Sequence, residues 1–471
     1  MKRALTTHLP WGMVTTILAL AWPTMLEQLM QTAVQYVDTA MVGSLGTYAT
    51  AAVGSTSTVN WLVSNTIAAV GVGFLAYIAR AYGAGEKELA HKAAAQAVLS
   101  VIVVGIVVTA LTLSLSKRIP IWMQVAPTIQ NLASAYFFVL YTPTLARTAM
   151  IVFGTILRAV GDSKSPMRVG LLVNLINVVL NFFLIYPTRE YHGVIILGAG
   201  LGIIGAAVAS AVSFLVGGIC ITAVLWRHPK ASPKGYSIFP DWCILRPCIK
   251  VALPNALQRF GTCLGYVAFA SMINALGDVS TAAHTIANTV ESAFYIPGYG
   301  MQTAAATLAG NALGSGDNCK AKDLSRMIII IEVFLMVLSG TALFLFAPEM
   351  MKLFSKDIVV ITMGATVLRM VAVSEPFYGV SIIIEGMMQG MGNTVLPFLF
   401  SIGGMWLIRI AGTFICTQRL GLGLISAWGC MIGHNMVLFL LFVLCYTKGW
   451  WNPMEVSSKV RRKVKKLKNN T

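Results

Sequence analysis

Long apolar runs alternate with short polar interruptions along the whole chain. An apolar run of roughly 18 residues or more with few charges is long enough to cross a bilayer as a helix. Twelve runs fit, at residues 12–42, 53–80, 93–116, 130–158, 165–186, 197–226, 247–275, 281–312, 325–346, 358–389, 396–417 and 424–446. The pattern predicts an all-α membrane protein with twelve transmembrane helices. A transmembrane barrel would instead show strict alternation in segments of about 10 residues. Residues 227–246, between the sixth and seventh runs, are rich in Pro, Ser and charge, as a linker is. The expected organisation is a first lobe over 1–226, a cytoplasmic linker over 227–246, a second lobe over 247–447 and a basic tail over 448–471.

The two halves repeat. Shifting the chain by 231 positions lays Met41–Val59 on Met272–Val290 without a gap, with eight of nineteen residues identical. The same shift carries Pro23 to Pro254, Gly85 to Gly316, Gly161 to Gly392 and Pro166 to Pro397. One register held across several spans marks self-similarity and predicts two pseudo-symmetric six-helix lobes. Six is even, so both lobes enter the membrane from one side. The axis relating them is expected along the membrane normal, with the transport path near the midplane.

Composition narrows this further. Of 471 residues, 57% are hydrophobic and 11% charged, against about 25% charged in soluble domains. The net charge of +17 would suggest nucleic acid in a soluble protein. Here the basic residues crowd one set of loops, so they speak for orientation and no nucleic-acid partner is expected. One side collects 24 of the 34 Lys and Arg; the other holds Lys117, Arg118, Arg189, Lys352, Lys356 and Arg419. Both termini are therefore expected in the cytoplasm of a multi-pass plasma-membrane protein. The KVRRKVKKLK run (Lys459–Lys468) of the tail suits anionic lipid. The eight cysteines contain no CxxC and read as small packing residues. A signal-peptide reading of the first 21 residues fails because the helical pattern continues past Pro23.

Polar residues inside the spans carry the candidate chemistry, because polar groups in a bilayer are expensive and default to function. Glu27, Gln31, Gln35 and Asp38 are spaced four, four and three along the first span and share one helix face. Asp38 is the expected ion-coupling group: an acid that gains and loses a proton as its cavity opens and shuts, or exchanges that proton for Na⁺. Asn174, Asn177 and Asn181 share a face of the fifth span and offer oxygens and N–H groups without changing charge; they serve either the ion or helix–helix bonding. Ser57, Asn60 and Ser64 form a weaker stripe in the second span. In the second half, His284, Asn288, Glu291 and Tyr295 share one face, and Glu375, Tyr378, Glu385 and Gln389 another. Arg259 and Arg369 also lie within spans, and Arg259 with Glu375 is an expected buried pair. Glu27, Gln31, Gln35, Asn60, Asn174, Arg259, His284, Asn288, Glu291, Glu375 and Tyr378 are the candidates to line a substrate cavity. Prolines 23, 143, 254, 297 and 376 are expected to kink their spans.

Two glycine patterns mislead. Gly200-Leu-Gly202-Ile-Ile-Gly205 matches a dinucleotide fingerprint but opens an apolar helix with no βαβ unit around it. Gly83-Ala-Gly85-Glu86 and Gly314-Ser-Gly316-Asp317 lack the following Gly-Lys-Ser/Thr of a phosphate loop and read as tight turns. With no ATP motif, a downhill H⁺ or Na⁺ must drive the cycle, and no cofactor beyond that ion is expected.

Several segments resemble the multidrug and toxic compound extrusion family: VDTAMVGSLG (Val37–Gly46), Ala81–Gly85, RAVGDSKSPM (Arg158–Met167), AAHTI (Ala282–Ile286) followed by Pro297 and Gly300, and LAGNALGSG (Leu308–Gly316). The likeness spans nearly the whole chain. It implies two six-helix lobes in a V around a central cavity, and antiport of a hydrophobic or cationic organic compound against H⁺ or Na⁺. Asp38 matches the family's first-helix coupling acid and Asn177 the fifth-helix amide beside it, so these two are the expected ligands were the ion Na⁺. Asn181 stands where one branch of the family carries an aspartate. The second-lobe acids of other members are not matched, since Thr262 and Tyr378 fall near those positions. The resemblance therefore favours coupling in the first lobe. The rivals are a lipid-linked oligosaccharide flippase of the same superfamily, an intramembrane enzyme and a passive channel. Few Arg lie well inside the spans (Arg147, Arg259, Arg369, Arg409), against the basic cavity of a flippase, and no HExxH or GxSxG supports an enzyme. The expected protein is a monomeric secondary transporter and not an enzyme.

Overall fold

The computed structural model describes residues 11–123, 125–191 and 194–455. The basic run Lys459–Lys468 lies outside them. In chain order the elements are α1 (Trp11–Gly43), α2 (Thr47–Gly83), α3 (Lys87–Leu115), α4 (Ile119–Trp122), α5 (Pro127–Tyr141), α6 (Thr144–Ala159), α7 (Lys164–Ile185), β1 (Pro187–Tyr191), β2 (Val194–Ala199) and α8 (Gly202–Arg227). They continue with α9 (Trp242–Asn274), α10 (Asp278–Phe294), α11 (Ile296–Gly314), α12 (Asn318–Lys352), α13 (Ile358–Gly390), α14 (Val395–Gly403), α15 (Ala411–Phe414) and α16 (Leu424–Lys448). Two π-helical turns, Gly404–Ile410 and Ile415–Arg419, flank α15 and carry one helical path from Val395 to Arg419.

Nine described helices are long and apolar enough to span a membrane, and ten if α5 and α6 make one bent span. The other two expected spans are helical but more polar. α9 is 33 residues long, about 50 Å at 1.5 Å per residue, and carries Lys250, Asn255 and Arg259. α10 and α11 meet at Tyr295, with Pro297 at the second residue of α11. Proline has no N–H to donate and breaks the ladder there. The same cause acts in the fourth span, where α5 and α6 meet at Thr142–Pro143 with a bend of 50°. Pro23, Pro254 and Pro376 remain inside continuous helices.

One addition was absent from the apolar pattern. β1 and β2 form an antiparallel hairpin with an irregularity between Pro187 and Arg189. The sixth helix therefore starts at Gly202, not 197. Residues 194–199 read VIILGA, an apolar run whose periodicity does not separate strand from buried helix.

The repeat is written into the turns. Gly46 and Gly277, Gly85 and Gly316, and Gly161 and Gly392 lie 231 residues apart and all adopt positive φ, at 107° and 99°, 79° and 70°, and 89° and 83°. Only a residue without Cβ enters this region freely, so each glycine ends one helix and frees the next to turn back. Asp162 and Asp317, directly after two of them, accept from the backbone N of Ser165 (3.0 Å) and Lys320 (2.9 Å), capping the following helix.

The chain forms two compact units. One comprises Leu26–Tyr266 and Thr394–Ile402; the other Met1–Met25, Val267–Asn393 and Gly403–Thr471. The core of the first is built on Phe137, Tyr141, Ile185, Ile203 and Ala207, from α5, α7 and α8. Close helix approach there needs small residues: a Cβ on Gly218 of α8 would lie 2.7 Å from the carbonyl oxygen of Ala146 on α6. The core of the second gathers Phe269, Ile273, Leu343, Leu368 and Trp428 from α9, α12, α13 and α16.

Candidate ion-coupling site

Asp38 lies about one and a half turns before the end of α1, half-buried. Asn177 and Asn181 sit one turn apart on α7 and are buried at 6% and 1% exposure. Asn181 Nδ2 donates to Asp38 Oδ1 at 2.6 Å and lies 3.2 Å from Asn177 Oδ1. In that arrangement Asn177 Nδ2 donates to Ser210 Oγ on α8 at 3.1 Å. Turned over, the Asn177 amide donates to both Asp38 oxygens at 3.0 and 3.2 Å and accepts from the Ser210 hydroxyl at 3.1 Å. Amide orientation follows the charge of its neighbours, so the second arrangement suits an ionised Asp38 and the first a neutral one.

The described residues give Asp38 no ion pair with Lys, Arg or His. Its charge is met by amide dipoles alone, which leaves it able to exchange a counter-ion. One acceptor is in reserve: Asn181 Oδ1 is buried without a hydrogen-bond partner. Were a cation held here, its oxygens would be Asp38 Oδ1 and Oδ2 with the amide oxygens of Asn177 and Asn181, a hard-oxygen set. No cluster of three or more His, Cys, Asp or Glu suited to a metal occurs among the described residues. Beside the carboxylate, a largely apolar hollow of about 570 Å³ is lined by Val37, Met41 and Ser44 of α1 and Val178, Phe182 and Tyr186 of α7. Val37, Val178 and Phe182 each adjoin a site residue in sequence, so the hollow runs along the neighbouring face.

The rest of the α1 stripe divides. Gln31 and Gln35 are exposed. Glu27 is buried in a 2.6 Å ion pair with Arg158 of α6. Asn174 is half-buried, with its Nδ2 lacking a partner. Asn60 accepts from Arg147 Nη1 at 2.7 Å and from the Tyr141 hydroxyl at 3.1 Å. Arg259 was expected to meet Glu375. It donates to Asn255 at 2.9 Å and Asn65 at 2.8 Å within its own unit instead, because amide oxygens on its own helix and on α2 come within reach.

The second unit holds a separate set. Glu291 accepts from the Tyr295 hydroxyl, and the Tyr295 and Tyr378 rings are 5.3 Å apart. His284 packs edge-on to Phe269 and Trp428, while Asn288 is exposed. Glu385 accepts from Gln389 at 2.9 Å. Glu375, 1% exposed, has both carboxyl oxygens without hydrogen-bond partners, and so has Glu332 of α12 at 0%. Glu332 was missed in the sequence; a lone acid in an apolar 35-residue helix was the available signal. Arg409, in the first π-helical turn, stacks 4.2 Å from the Phe269 ring.

The chain is 28% identical over 451 residues to a probable multidrug resistance protein NorM of Thermotoga maritima, covering 96% of this chain and 95% of that one. It is 24% identical to the multidrug resistance protein MdtK of Edwardsiella ictaluri, covering 85% and 87%. A structure described as the outward-facing conformation of a multidrug resistance MATE family transporter of the MOP superfamily matches its fold with TM-score 0.85, 24% identity and coverage of 93% and 96%. The MatE family model matches residues 23–183 and again 254–415, the two copies of the internal repeat. A predominantly helical, internally repeated membrane chain that carries this family's pattern in both halves belongs to the MatE family.

Proposed function

We propose that the chain is a secondary multidrug efflux transporter that exports hydrophobic or cationic organic compounds in exchange for H⁺ or Na⁺. One observation carries the reading: Asp38 is met by Asn177 and Asn181 and by no described basic residue. A carboxylate neutralised permanently by arginine could not trade its counter-ion, whereas one held by amides can. The relatives named as multidrug resistance proteins support a small-molecule substrate. Ion and substrate would each favour a different state of the transporter, so the ion gradient drives export. The reading places the protein in the plasma membrane with both termini cytoplasmic, and gives the basic tail anionic lipid to contact.

Drug efflux from proteoliposomes, with pH and Na⁺ gradients imposed separately, tests it. Wild-type protein should move drug uphill under one gradient, and Asp38→Asn should stop net uphill transport while the protein stays folded. Wild-type-like uphill transport by Asp38→Asn would refute the coupling role.

A further inference from the structure

Arg147 is a buried cation whose described partners are all neutral. It lies in the first turn of α6 at 9% exposure. Its Nη1 donates to Asn60 and its Nη2 to Ser64, both on α2, and the Tyr141 hydroxyl donates to the same Asn60 oxygen. The Phe214 and Tyr141 rings flank it, with centroids 5.0 and 6.0 Å from Cζ. No carboxylate is ion-paired with it among the described residues. Arginine cannot escape by losing its proton. Neutral oxygens and ring faces replace part of its hydration, but a buried ion without a counter-ion is costly. Glu27–Arg158 in the same unit shows the alternative, a buried arginine supplied with its acid.

Two further features make this a place of entry. Asn60 and Ser64, which hold the guanidinium, are themselves only half-buried, so Arg147 lies one side chain beneath an accessible polar face of α2. The next residue along that helix, Asn65, receives a second guanidinium from Arg259. A second cation thus lies against the same turn of α2, about 100° further round the helix. The five N–H donors of Arg147 meet two oxygens, which leaves donors for a further acceptor.

We infer that Arg147, framed by Asn60, Ser64 and Tyr141, binds one anionic group, a carboxylate, sulfonate or phosphate, of an organic anion, a zwitterion or a phospholipid headgroup. The guanidinium fork suits such groups. Anion binding is measured at equilibrium, so the inference stands or falls apart from ion coupling.

The test is fluorescence titration of the purified full chain, in neutral detergent, with a dansylated amino acid and with its methyl ester. Wild type should bind the free acid at least about 10-fold more tightly than the ester, and Arg147→Gln should bring the ratio near one. Asn60→Asp supplies the missing counter-ion where the guanidinium already donates. It should raise the thermal midpoint and also erase the preference, so the test does not rest on a variant that fails to fold. Native mass spectrometry with phosphatidylglycerol against phosphatidylcholine separates the sources. Arg147-dependent retention of phosphatidylglycerol that displaces the probe assigns the site to lipid; loss of the acid preference in Arg147→Gln without such retention assigns it to soluble organic anions. A wild type that neither distinguishes acid from ester nor prefers phosphatidylglycerol overturns the inference. So does an acid preference that persists in Asn60→Asp.

Discussion

Glu27→Gln tests how α1 is anchored. Glu27 and Arg158 form a 2.6 Å ion pair with side chains only 11% and 15% exposed, so solvent screens it little. α7 crowds the same carboxyl: a Cβ on Gly170 would lie 3.3 Å from Glu27 Cγ. Removing one partner of a buried pair costs roughly 3–5 kcal/mol, because the survivor stays charged in a poor solvent. The two single variants should not cost the same. Arg158 keeps its charge when Glu27 becomes Gln, and the amide recovers only part of a charge-assisted bond worth about 1.5–3 kcal/mol; the expected loss is about 3 kcal/mol. The Gln of Arg158→Gln can still donate a hydrogen bond to the Glu27 carboxylate, so that loss should be smaller, about 2 kcal/mol. The double variant should lose less than the sum by about 1–3 kcal/mol, the coupling typical of groups in contact. Equilibrium unfolding by SDS in mixed micelles, followed with a fluorogenic thiol dye, reads this directly, since Cys248 and Cys263 are buried when folded. Additive losses, or single losses below about 1 kcal/mol, would refute the claim that this pair anchors α1.

Three other outcomes are expected. Asn181→Leu removes the 2.6 Å donor to Asp38; at about 1.5–3 kcal/mol for a bond to a charged group, the ion concentration for half-maximal transport should shift by about 10- to 150-fold, and an unchanged value would count against the site. Glu332→Met should stabilise the protein by about 1–3 kcal/mol, the cost of leaving buried polar atoms unpaired, because both Glu332 oxygens lack partners; impaired transport with unchanged stability would instead point to a working carboxyl. His228 begins the linker 3.6 Å from Asp162, yet burial outweighs that acid and holds its pKa below the ordinary 6.5. A histidine with a depressed pKa contributes stability above its unfolded value that is lost as pH falls through the folded one. Limited proteolysis at residues 229–240 should therefore quicken as pH drops below about 6.5, and His228→Gln should abolish that dependence.

Much of the fold was legible because a bilayer leaves few choices. Backbone groups in hydrocarbon must bond within their own helix, so apolar runs marked twelve crossings; nine or ten of the described helices are long and apolar enough by themselves, while α9 and the α10–α11 pair are more polar. The breaks at Pro143 and Pro297 and the turns at Gly46, Gly85 and Gly161 follow from what proline and glycine permit. The face shared by Asn177 and Asn181, and the presence of Asp38 as an acid within a span, follow from helical spacing in the same way.

Partnership was not legible. Glu27 and Asp38 lie on one face of one helix and read alike, yet Glu27 meets Arg158, 131 residues on, while Asp38 meets Asn181, 143 residues on. Arg259 goes to Asn65 and Asn255, and Arg147 to Asn60 and Ser64. Helical periodicity states which side chains leave a cylinder in the same direction. It carries no record of which neighbouring cylinder stands there, or at what height and rotation. The helices, the repeat and the candidate acid belonged to the sequence; which charges are neutralised and which are left to take a ligand was decided only when the helices packed.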